Sequence, residues 1–356
     1  MTTRRIRLRP SRRRLCRRPG TRGAVAASAL AALLAAGCAT VASPLPRAAR
    51  PLPITTAGGD AAPAATAAPD CGNPEVSLRP PAVLPAPGAM PAGSYLETIA
   101  KRGFLTVGML SGAPPFGSLN PNDGTFEGFD VDIAKEIAKA IFGPDGASPQ
   151  HLKFRAVTTA ERIPVIRNRE ADIVVATMTT NCQRRTLVDF SVPYYQAVAK
   201  VLVLKHSSYR SLDDLGGRKV CAPANTTSLQ HIADAPSNPI PVGLPNDADC
   251  LLALQSGEVD GILTDDTILI GMAQQDPQTR LTGSVVIDGK VVVEPDAVAV
   301  SLDHPDLTRF VNGVLARIAR PPAGNGRWDE IADHWLGSLY PPLNPAPAQP
   351  PALYRD

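Results

Sequence analysis

The sequence contains, in order, the segments FLTVGML (residues 104–110), FDVDIAKEIAKAI (129–141), LKFRAV (152–157), ERIPVIRN (161–168) and ADIVVA (171–176). The first, third and fifth are short apolar-rich runs typical of strands, and the fifth suits a strand that is buried on both faces. The second has apolar residues at helical spacing, and the fourth is a short helical pattern. Strands that alternate with helices predict an α/β fold with mostly parallel sheets.

The same alternation extends to both sides of these segments, and the sequence has no internal repeat. The patterns predict strands at 200–204, 218–222, 260–263 and 298–302, and helices at 95–103, 227–232, 250–256 and 307–318. We expect Gly103 and Gly143 to end helices, since glycine is the usual residue after a helix. Asp130 is the candidate N-cap of the helix at 129–141.

The chain has 356 residues, of which 44% are apolar, and its formal net charge is +3. This charge is distributed unevenly along the sequence. Ten arginines lie in the first 22 residues, and residues 1–37 contain no acidic residue. The remainder has 26 basic and 33 acidic residues, a formal charge of −7. A mildly acidic body argues against nucleic-acid binding, which requires a basic surface.

Residues 1–37 have the organisation of an export signal. A basic stretch (1–22) precedes the apolar run Ala24–Ala36, which is too short to span a membrane and is followed by a cysteine. The end of this segment resembles a bacterial lipoprotein signal, which implies that Cys38 is lipidated, although Ala35 stands where such signals usually have leucine. An ordinary secretory signal with a chance cysteine is the alternative, and Sec and twin-arginine export both stay open.

Proline-rich segments flank the predicted globular part. Residues 38–90 are rich in alanine and proline and have little periodicity, which predicts an extended tether. The proline-rich segment 341–356 is predicted to be a disordered tail.

Six motifs occur in a fixed order between residues 93 and 340. They are GFDVDIA (128–134), AD (171–172), Arg184 with DFS (189–191), SLDDLGG (211–217), GEVD (257–260) with Asp265-Asp266, and Trp328 with WLG (335–337). In this order they resemble family 3 of the bacterial extracellular solute-binding proteins, the polar-amino-acid-binding lipoproteins of ABC transporters, and within it the actinobacterial glutamate/glutamine-binding type.

The resemblance implies the periplasmic-binding-protein type II fold, in which two α/β lobes joined by two hinge strands close on a ligand. Lobe one would comprise residues 91–195 and 297–340, and lobe two residues 196–296. The two crossovers between the lobes would lie near 193–198 and 294–297.

The resemblance also implies a site for an amino acid. A buried zwitterion needs a cation for its carboxylate and an anion for its ammonium, since an unpaired buried charge is costly. By its place in the motif, Arg184 would bind the carboxylate through its planar fork, with Thr179 and a backbone group of Thr177 beside it. Thr226 and Thr227, at the start of a predicted helix, would complete the carboxylate site. Roles as strand ends or as a helix cap are the alternatives for these threonines.

Asp265, five residues after Asp260 of the GEVD motif, would bind the ligand ammonium, and Asp266 is the alternative. Many members of the family carry an acid and a ligand-stacking aromatic just after the first strand. The matching stretch 110–116 has neither at those places, so the side chain of the ligand stays open. Phe116 either replaces the aromatic or belongs to the core.

Besides the lipid-modified cysteine and Cys16 of the signal, the chain has Cys71, Cys182, Cys221 and Cys250. An even number of cysteines in an exported protein suggests disulfides, and four allow three pairings. The resemblance implies a Cys221–Cys250 disulfide, which leaves Cys71 and Cys182 to pair with each other. The Cys71–Cys182 disulfide would fix the end of the tether beside Arg184. No Cys-x-x-Cys or His-x₃-His spacing indicates a metal site, and we expect no cofactor.

These features predict a monomeric, lipid-anchored binding protein on the outer face of the cytoplasmic membrane, and not an enzyme. We expect it to close on a polar amino acid, glutamate or aspartate or one of their amides, and to deliver it to the permease and ATPase of an ABC importer. A sensor that passes the signal to a membrane signalling protein uses the same closure and is the alternative. No catalytic motif includes a histidine, and His231 is expected on a solvated helix face.

Overall fold

The structure is a computed structural model that describes residues 69–319, 326–339 and 348–356. The predicted export signal, Cys38 and most of the predicted tether lie outside the described residues. Within the described ranges, no helix combines the length and the apolar character that a membrane span requires.

Helices and strands alternate along the described chain. The helices are α1 Tyr95–Arg102, α2 Phe129–Phe142, α3 Arg162–Arg167, α4 Cys182–Arg185, α5 Thr227–Asp234, α6 Asp247–Gln255, α7 Asp266–Gln275, α8 Pro305–Ile318 and α9 Arg327–Leu336. The strands are β1 Ser77–Leu78, β2 Leu105–Leu110, β3 Gly112–Ala113, β4 Gly117–Leu119, β5 Phe126–Glu127, β6 Leu152–Val157, β7 Ile173–Val174, β8 Asp189–Leu204, β9 Lys219–Pro223, β10 Ile240–Leu244, β11 Gly261–Asp265, β12 Thr279–Ser284, β13 Val286–Ile287, β14 Lys290–Val291, β15 Val293–Val300 and β16 Tyr354–Arg355.

Local chemistry sets the ends of the helices. The Ser94 side chain caps α1 by accepting a hydrogen bond from the Glu97 amide, and Gly103 ends this helix with a φ of 85°. Helix α2 begins after Gly128, whose φ is 136° and where an added Cβ would lie 2.0 Å from the Phe116 carbonyl oxygen. Only glycine fits this position, because it combines a left-handed backbone with a close approach to another chain segment.

The prediction that Asp130 caps α2 is wrong. The N-cap is Gly128, and the Asp130 side chain points into the protein. Its carboxylate accepts hydrogen bonds from the Tyr194 hydroxyl at 2.7 Å and from the Thr177 amide at 2.9 Å. Asp130 therefore joins α2 to the interior of the protein instead of satisfying the free amides of its own helix.

Among the described residues, nine strands form one sheet in the order β10-β9-β11-β8-β15-β7-β2-β6, with β12 paired to β8. Strands β9, β10 and β11 are parallel on one side, and strands β2, β6 and β7 are parallel on the other. The antiparallel pairs involve β8 and β15 in the middle. The two parallel groups with their helices are the two α/β lobes, as expected.

Strands β8 and β15 connect the lobes. They are antiparallel neighbours, paired from Val293 with Val198 to Val300 with Asp189. The second half of β8 leaves lobe one and pairs with β11 and β12 of lobe two. Both predicted crossovers, 193–198 and 294–297, therefore fall on one pair of strands.

Aromatic side chains form the centre of lobe one. Phe116 is fully buried and meets Phe129 and Tyr195 edge to face, with ring centroids 5.5 and 5.0 Å apart. Trp328 packs against Phe129 at 5.7 Å, and its indole N–H donates to the Tyr194 carbonyl at 2.8 Å. Phe116 is therefore a core residue. A second apolar cluster lies in lobe two.

Both predicted cysteine pairs form disulfides. Cys221–Cys250 joins β9 to α6 within lobe two, and the two Cα atoms lie 5.6 Å apart. Cys71–Cys182 joins the segment before β1 to helix α4, with Cα atoms 5.4 Å apart.

Both ends of the folded chain pack on lobe one. Strand β1 pairs in parallel with β16, and the Ser77 hydroxyl donates to the Phe190 carbonyl at 2.6 Å. The Asn312 amide of α8 donates to the same hydroxyl at 2.8 Å. The structure thus differs from the predicted boundaries, because the chain from Ser77 onward belongs to the folded body and Tyr354–Arg355 forms a strand within the predicted tail.

Candidate functional site

A cavity between the lobes is lined by five of the residues predicted to bind the ligand: Thr177, Thr179, Thr226, Thr227 and Asp265. The sixth, Arg184, lines an adjoining pocket of about 470 Å³. The cavity and the pocket share four lining residues, namely Thr159, Arg162, Thr226 and Thr227. The fold therefore brings the six predicted residues to one cleft, where loops and helix starts of both lobes meet.

Arg184 lies where the two lobes meet. Its backbone amide donates to the Asn181 side chain at 2.8 Å, which caps helix α4. Its guanidinium donates to the Thr179 carbonyl at 2.6 Å and to the Asn225 carbonyl of lobe two at 3.3 Å. Burial, and secondly the charge of Arg162, lower the pKa of Arg184 to about 9. It is therefore still protonated at neutral pH, and a desolvated guanidinium binds a carboxylate strongly.

Thr179 and Thr227 face each other across the cleft, with their hydroxyl oxygens 3.3 Å apart. Thr227 donates to one oxygen of Glu294 at 2.9 Å, and His231 Nε2 lies 2.9 Å from the other. Burial raises the pKa of Glu294, but hydrogen bonds from His231, Thr179 and Thr227 outweigh burial and hold the pKa below its ordinary value. His231, whose side chain is 26% exposed, thus contacts a hinge strand and does not lie on a solvated face.

Backbone groups of Thr177 and the hydroxyl group of Thr226 form hydrogen bonds with other residues of the protein. Thr177 donates its amide to Asp130, and its carbonyl accepts a hydrogen bond from Arg162 at 2.9 Å. The Thr226 side chain caps α5, and its hydroxyl donates to the Pro223 carbonyl at 2.6 Å. For Thr226 the structure thus shows the helix-cap role that the sequence left as an alternative.

Asp265 and Asp266 are neighbours with different surroundings. Asp265 lines the cavity, is 6% exposed and has no hydrogen bond from a described residue to its carboxylate. Burial raises the pKa of Asp265 well above its ordinary value, and the charges of Glu294 and Asp266 raise it further. Asp266 instead accepts from the Val198 amide at 3.3 Å and lies 3.7 Å from Lys200 Nζ. Asp265 is therefore the carboxylate that can meet a ligand ammonium.

Arg162 is a residue of the cleft that the sequence patterns did not indicate. It is 3% exposed and lines both the cavity and the adjoining pocket. Its Nε donates to the Thr159 carbonyl at 3.1 Å, and its Nη1 donates to the Ala176 and Thr177 carbonyls at 2.9 Å. Burial lowers the pKa of Arg162, and the charge of Asp296 opposes this shift. The available signal was an arginine at the first position of a short, mostly apolar helix.

Carboxyl groups surround the two arginines. Asp296 on β15 is fully buried, and neither of its carboxyl oxygens has a hydrogen-bond partner among the described residues. Burial, followed by the charges of Asp265 and Asp130, raises the pKa of Asp296 well above its ordinary value. Burial also raises the pKa of Asp130 to about 7 and that of Asp247 to about 6. Buried guanidinium and carboxyl groups therefore lie in and around the cleft, and burial favours the neutral form of these carboxyl groups.

The segment after Cys71 encloses the turn that presents Arg184. The disulfide partner of Cys71, Cys182, is the first residue of α4. The Pro74 carbonyl accepts a hydrogen bond from the Thr180 hydroxyl at 2.8 Å, just before this helix. A covalent bond and a hydrogen bond thus hold the turn on both sides.

This arrangement can hold a small zwitterion, because it offers a buried cation, a buried acid and hydroxyl groups in one cleft. Across the part of the chain that the structure describes, no group of histidine, cysteine or acidic side chains is placed to hold a metal ion.

Known proteins with similar sequences and structures bind amino acids. Residues 105–338 match the family model of the bacterial extracellular solute-binding proteins, family 3. The chain is 36% identical to the ABC transporter glutamine-binding protein GlnH of Bacillus subtilis over 242 residues. This aligned region covers 68% of the present chain and 84% of GlnH. It is 39% identical to the glutamine-binding protein of Geobacillus stearothermophilus over 187 residues. That aligned region covers 52% of the present chain and 70% of the Geobacillus protein. The crystal structure of a mutant arginine-binding protein from T. maritima aligns with a TM-score of 0.59 at 27% identity, over 68% of this chain and 99% of the other.

Proposed function

Because this chain belongs to family 3 of the bacterial extracellular solute-binding proteins, we propose that it binds a free polar amino acid outside the cytoplasm and delivers it to the permease of an ABC importer. The two similar glutamine-binding proteins support an amino acid as the ligand. Glutamate, aspartate and their amides are the favoured ligands.

The observation that carries this proposal is the presence of Arg184 and Asp265, which we call the zwitterion clamp, in one buried cleft. Both side chains are buried, with 8% of Arg184 and 6% of Asp265 exposed. In the proposed complex, Arg184 donates two parallel N–H bonds to the ligand carboxylate, and Asp265 accepts from the ammonium. Each buried charge then has a partner, which offsets the cost of desolvation.

Closure of the two lobes is the proposed binding movement. The inner cavity has a volume of about 20 Å³, far less than an amino acid, so the lobes must part before a ligand enters. Polar contacts join the lobes, including the Thr159 hydroxyl to the Ala224 carbonyl at 2.8 Å. A ligand that touches both lobes favours the closed form, because only that form makes all of its contacts. The bend is proposed to fall on the paired strands β8 and β15.

We also propose that the protein is held at the outer face of the cytoplasmic membrane through Cys38. Each buried CH₂ of an acyl chain contributes about 0.8 kcal/mol, so two or more chains give a stable anchor. The segment rich in alanine and proline that follows Cys38 would give the binding lobes reach above the membrane.

Isothermal titration calorimetry against the twenty L-amino acids tests the binding function. We expect saturable one-to-one binding of at least one polar amino acid, and the absence of heat with all twenty would refute the proposal. Delivery is tested with the candidate permease and ATPase reconstituted in liposomes. Loaded protein should stimulate ATP hydrolysis, and activation of a membrane sensor in its place would reassign the partner.

A further inference from the structure

The two disulfides differ in how easily a dissolved reagent can reach them. Cys221 and Cys250 are both 0% exposed. Cys71 is exposed, and Cys182 is partly exposed. Exposed disulfides are the ones that react with thiols, whereas protected structural disulfides resist reduction. The folded protein therefore has one disulfide that a reagent can reach and one that serves as an internal control.

A pocket of about 390 Å³ opens beside the exposed disulfide. Its described lining includes Cys71 and Cys182, and also the charged residues Arg185, Asp189 and Arg355. Pockets of roughly 300–1,000 Å³ are the usual size for small-molecule ligands. A low-molecular-weight thiol therefore has room to approach the two sulfur atoms.

Arg185 lines this pocket and has a donor without an acceptor. Its side chain is only 8% exposed. Nε donates to the Pro74 carbonyl at 2.6 Å and Nη1 to Asp189 at 3.2 Å, while Nη2 is buried with no hydrogen-bond partner in the described part of the chain. Arg185 follows Cys182 by three residues in α4, and side chains at this spacing are neighbours on a helix. A thiolate on Cys182 would give this donor an acceptor.

We propose that the Cys71–Cys182 disulfide is a thiol-exchange site, which a low-molecular-weight thiol opens from the pocket, and that its opening weakens ligand binding at Arg184. First, the thiolate of one small molecule attacks the Cys71 sulfur, the bond between the cysteines breaks, and Cys182 leaves as a thiolate. A second thiolate then attacks the mixed disulfide on Cys71. The two small thiols leave as a disulfide, and the two electrons that they lose reduce the protein disulfide.

The surroundings of the two sulfur atoms set the direction of the attack. Cys71 is the more exposed partner, so the incoming thiolate reaches its sulfur first. A positive charge beside a thiolate stabilises it, and a stabilised thiolate leaves faster. Arg185 supplies this charge at Cys182, since Asp189 accepts from Nη1 and leaves Nη2 free.

Opening the disulfide affects the binding arginine through helix α4. Cys182 is the first residue of this four-residue helix, and Arg184 is the third. A helix of one turn has little stability of its own, so contacts with other segments hold it in place. Without the covalent link, Arg184 gains freedom that the ligand must remove on binding, which lowers the affinity. This coupling rests on the proposed function, whereas the exchange itself needs no amino-acid ligand.

The exchange is tested on the folded parent protein with reduced glutathione as the probe. Free thiols are trapped with N-ethylmaleimide at successive times, and mass spectrometry locates the labelled and glutathione-bound cysteines. We expect Cys71 and Cys182 to react at least about ten-fold faster than Cys221 and Cys250. In urea all four should react, which checks the reagent. Equal rates for both disulfides in the folded protein, or no reaction at Cys71 and Cys182, would overturn the exchange site.

The role of Arg185 is tested in the same assay. Arg185→Gln removes the charge beside the leaving thiolate, so the opening of the disulfide should become several-fold slower. Arg218→Gln is the matched control, because Arg218 is an exposed arginine of lobe two that does not line the pocket, and its rate should equal that of the parent. An unchanged rate in a folded Arg185→Gln variant would contradict the role of Arg185.

Calorimetry with the best amino-acid ligand tests the effect on binding. The Kd of the thiol-treated parent should rise at least about three-fold and return after the thiol is removed and the disulfide re-forms. The double variant Cys71→Ser, Cys182→Ser should have one Kd with and without the thiol. An unchanged Kd in the opened parent would overturn the coupling. If no amino acid binds to the untreated parent, the proposed function is wrong, and the labelling rates still decide the exchange site.

Discussion

Replacing Arg184 with alanine should weaken amino-acid binding by about 150- to 5000-fold, which corresponds to 3–5 kcal/mol. The ligand carboxylate would then be buried in a cleft that holds several carboxyl groups. Of the two other arginines that line the pocket of Arg184, Arg162 is buried and Arg167 is exposed. Arg162 already uses Nε and Nη1 on backbone carbonyls and cannot replace the missing fork. The loss is therefore that of a buried, partnered charge, which is large.

Replacing Arg184 with lysine should weaken amino-acid binding less than replacing it with alanine. Arg184→Lys keeps the charge but loses the planar pair of donors, so about one charged hydrogen bond is lost. This costs about 1.5–3 kcal/mol, or about 10- to 150-fold in Kd. The guanidinium of Arg184 has no ion pair among the described residues, so neither change should greatly lower the free energy of unfolding without ligand.

Calorimetry with the best ligand measures these changes, and thermal unfolding without ligand checks that each variant is folded. Arg218→Ala is the control, because Arg218 is an exposed arginine of lobe two outside the cleft. A folded Arg184→Ala variant whose Kd lies within about three-fold of the parent would refute the carboxylate role of Arg184.

Three further changes test other parts of the structure. The double change Cys71→Ser, Cys182→Ser removes the covalent link at the start of α4, the helix that contains Arg184. Calorimetry should then show several-fold weaker binding, and an unchanged Kd would contradict a positioning role for this disulfide. The double change Cys221→Ser, Cys250→Ser opens a loop with a sequence separation of 29 residues, which should lower the free energy of unfolding in urea by roughly 3–4 kcal/mol. A much smaller loss would count against a role for this bond in holding lobe two. Burial raises the pKa of Asp130 from 3.8 to about 7, so the folded protein holds this proton more tightly than the unfolded chain. The free energy of unfolding should then fall as pH rises from about 4 to 7, and this group should contribute about 1.4 kcal/mol per pH unit. In urea denaturation, Asp130→Asn should make this pH dependence weaker. An unchanged pH dependence in the variant would argue against a raised pKa of Asp130.

Elements with strong local patterns were predictable from the sequence. Strand β6 has the predicted bounds, 152–157, and α2 extends only one residue beyond the predicted 129–141. The position of Arg184 and Asp265 in the cleft was also predictable, because each lies at a fixed distance from a short motif. Local spacing holds information about such features, since neighbours in sequence decide them.

Features that depend on distant contacts were not predictable. Strand β8 is 16 residues long, yet Pro193 and the change of partner along it hide its continuity in the sequence. Arg162 resembles an ordinary residue of a short helix, but it is buried and donates to the Ala176 and Thr177 carbonyls, which follow β7. Asp130 follows the usual cap pattern, but Tyr194, 64 residues away, holds its carboxylate inside. Tertiary contacts outweigh local preference at such positions.

The pairing of β1 with β16 has a mechanical consequence. Both ends of the folded body belong to lobe one, so lobe two is a single insertion that enters and leaves through β8 and β15. A load applied at either chain end stretches lobe one and does not pull the cleft apart. For the same reason, a fluorescent donor on lobe one and an acceptor on lobe two would report the swing of the inserted lobe, whichever end of the protein is fixed to a surface.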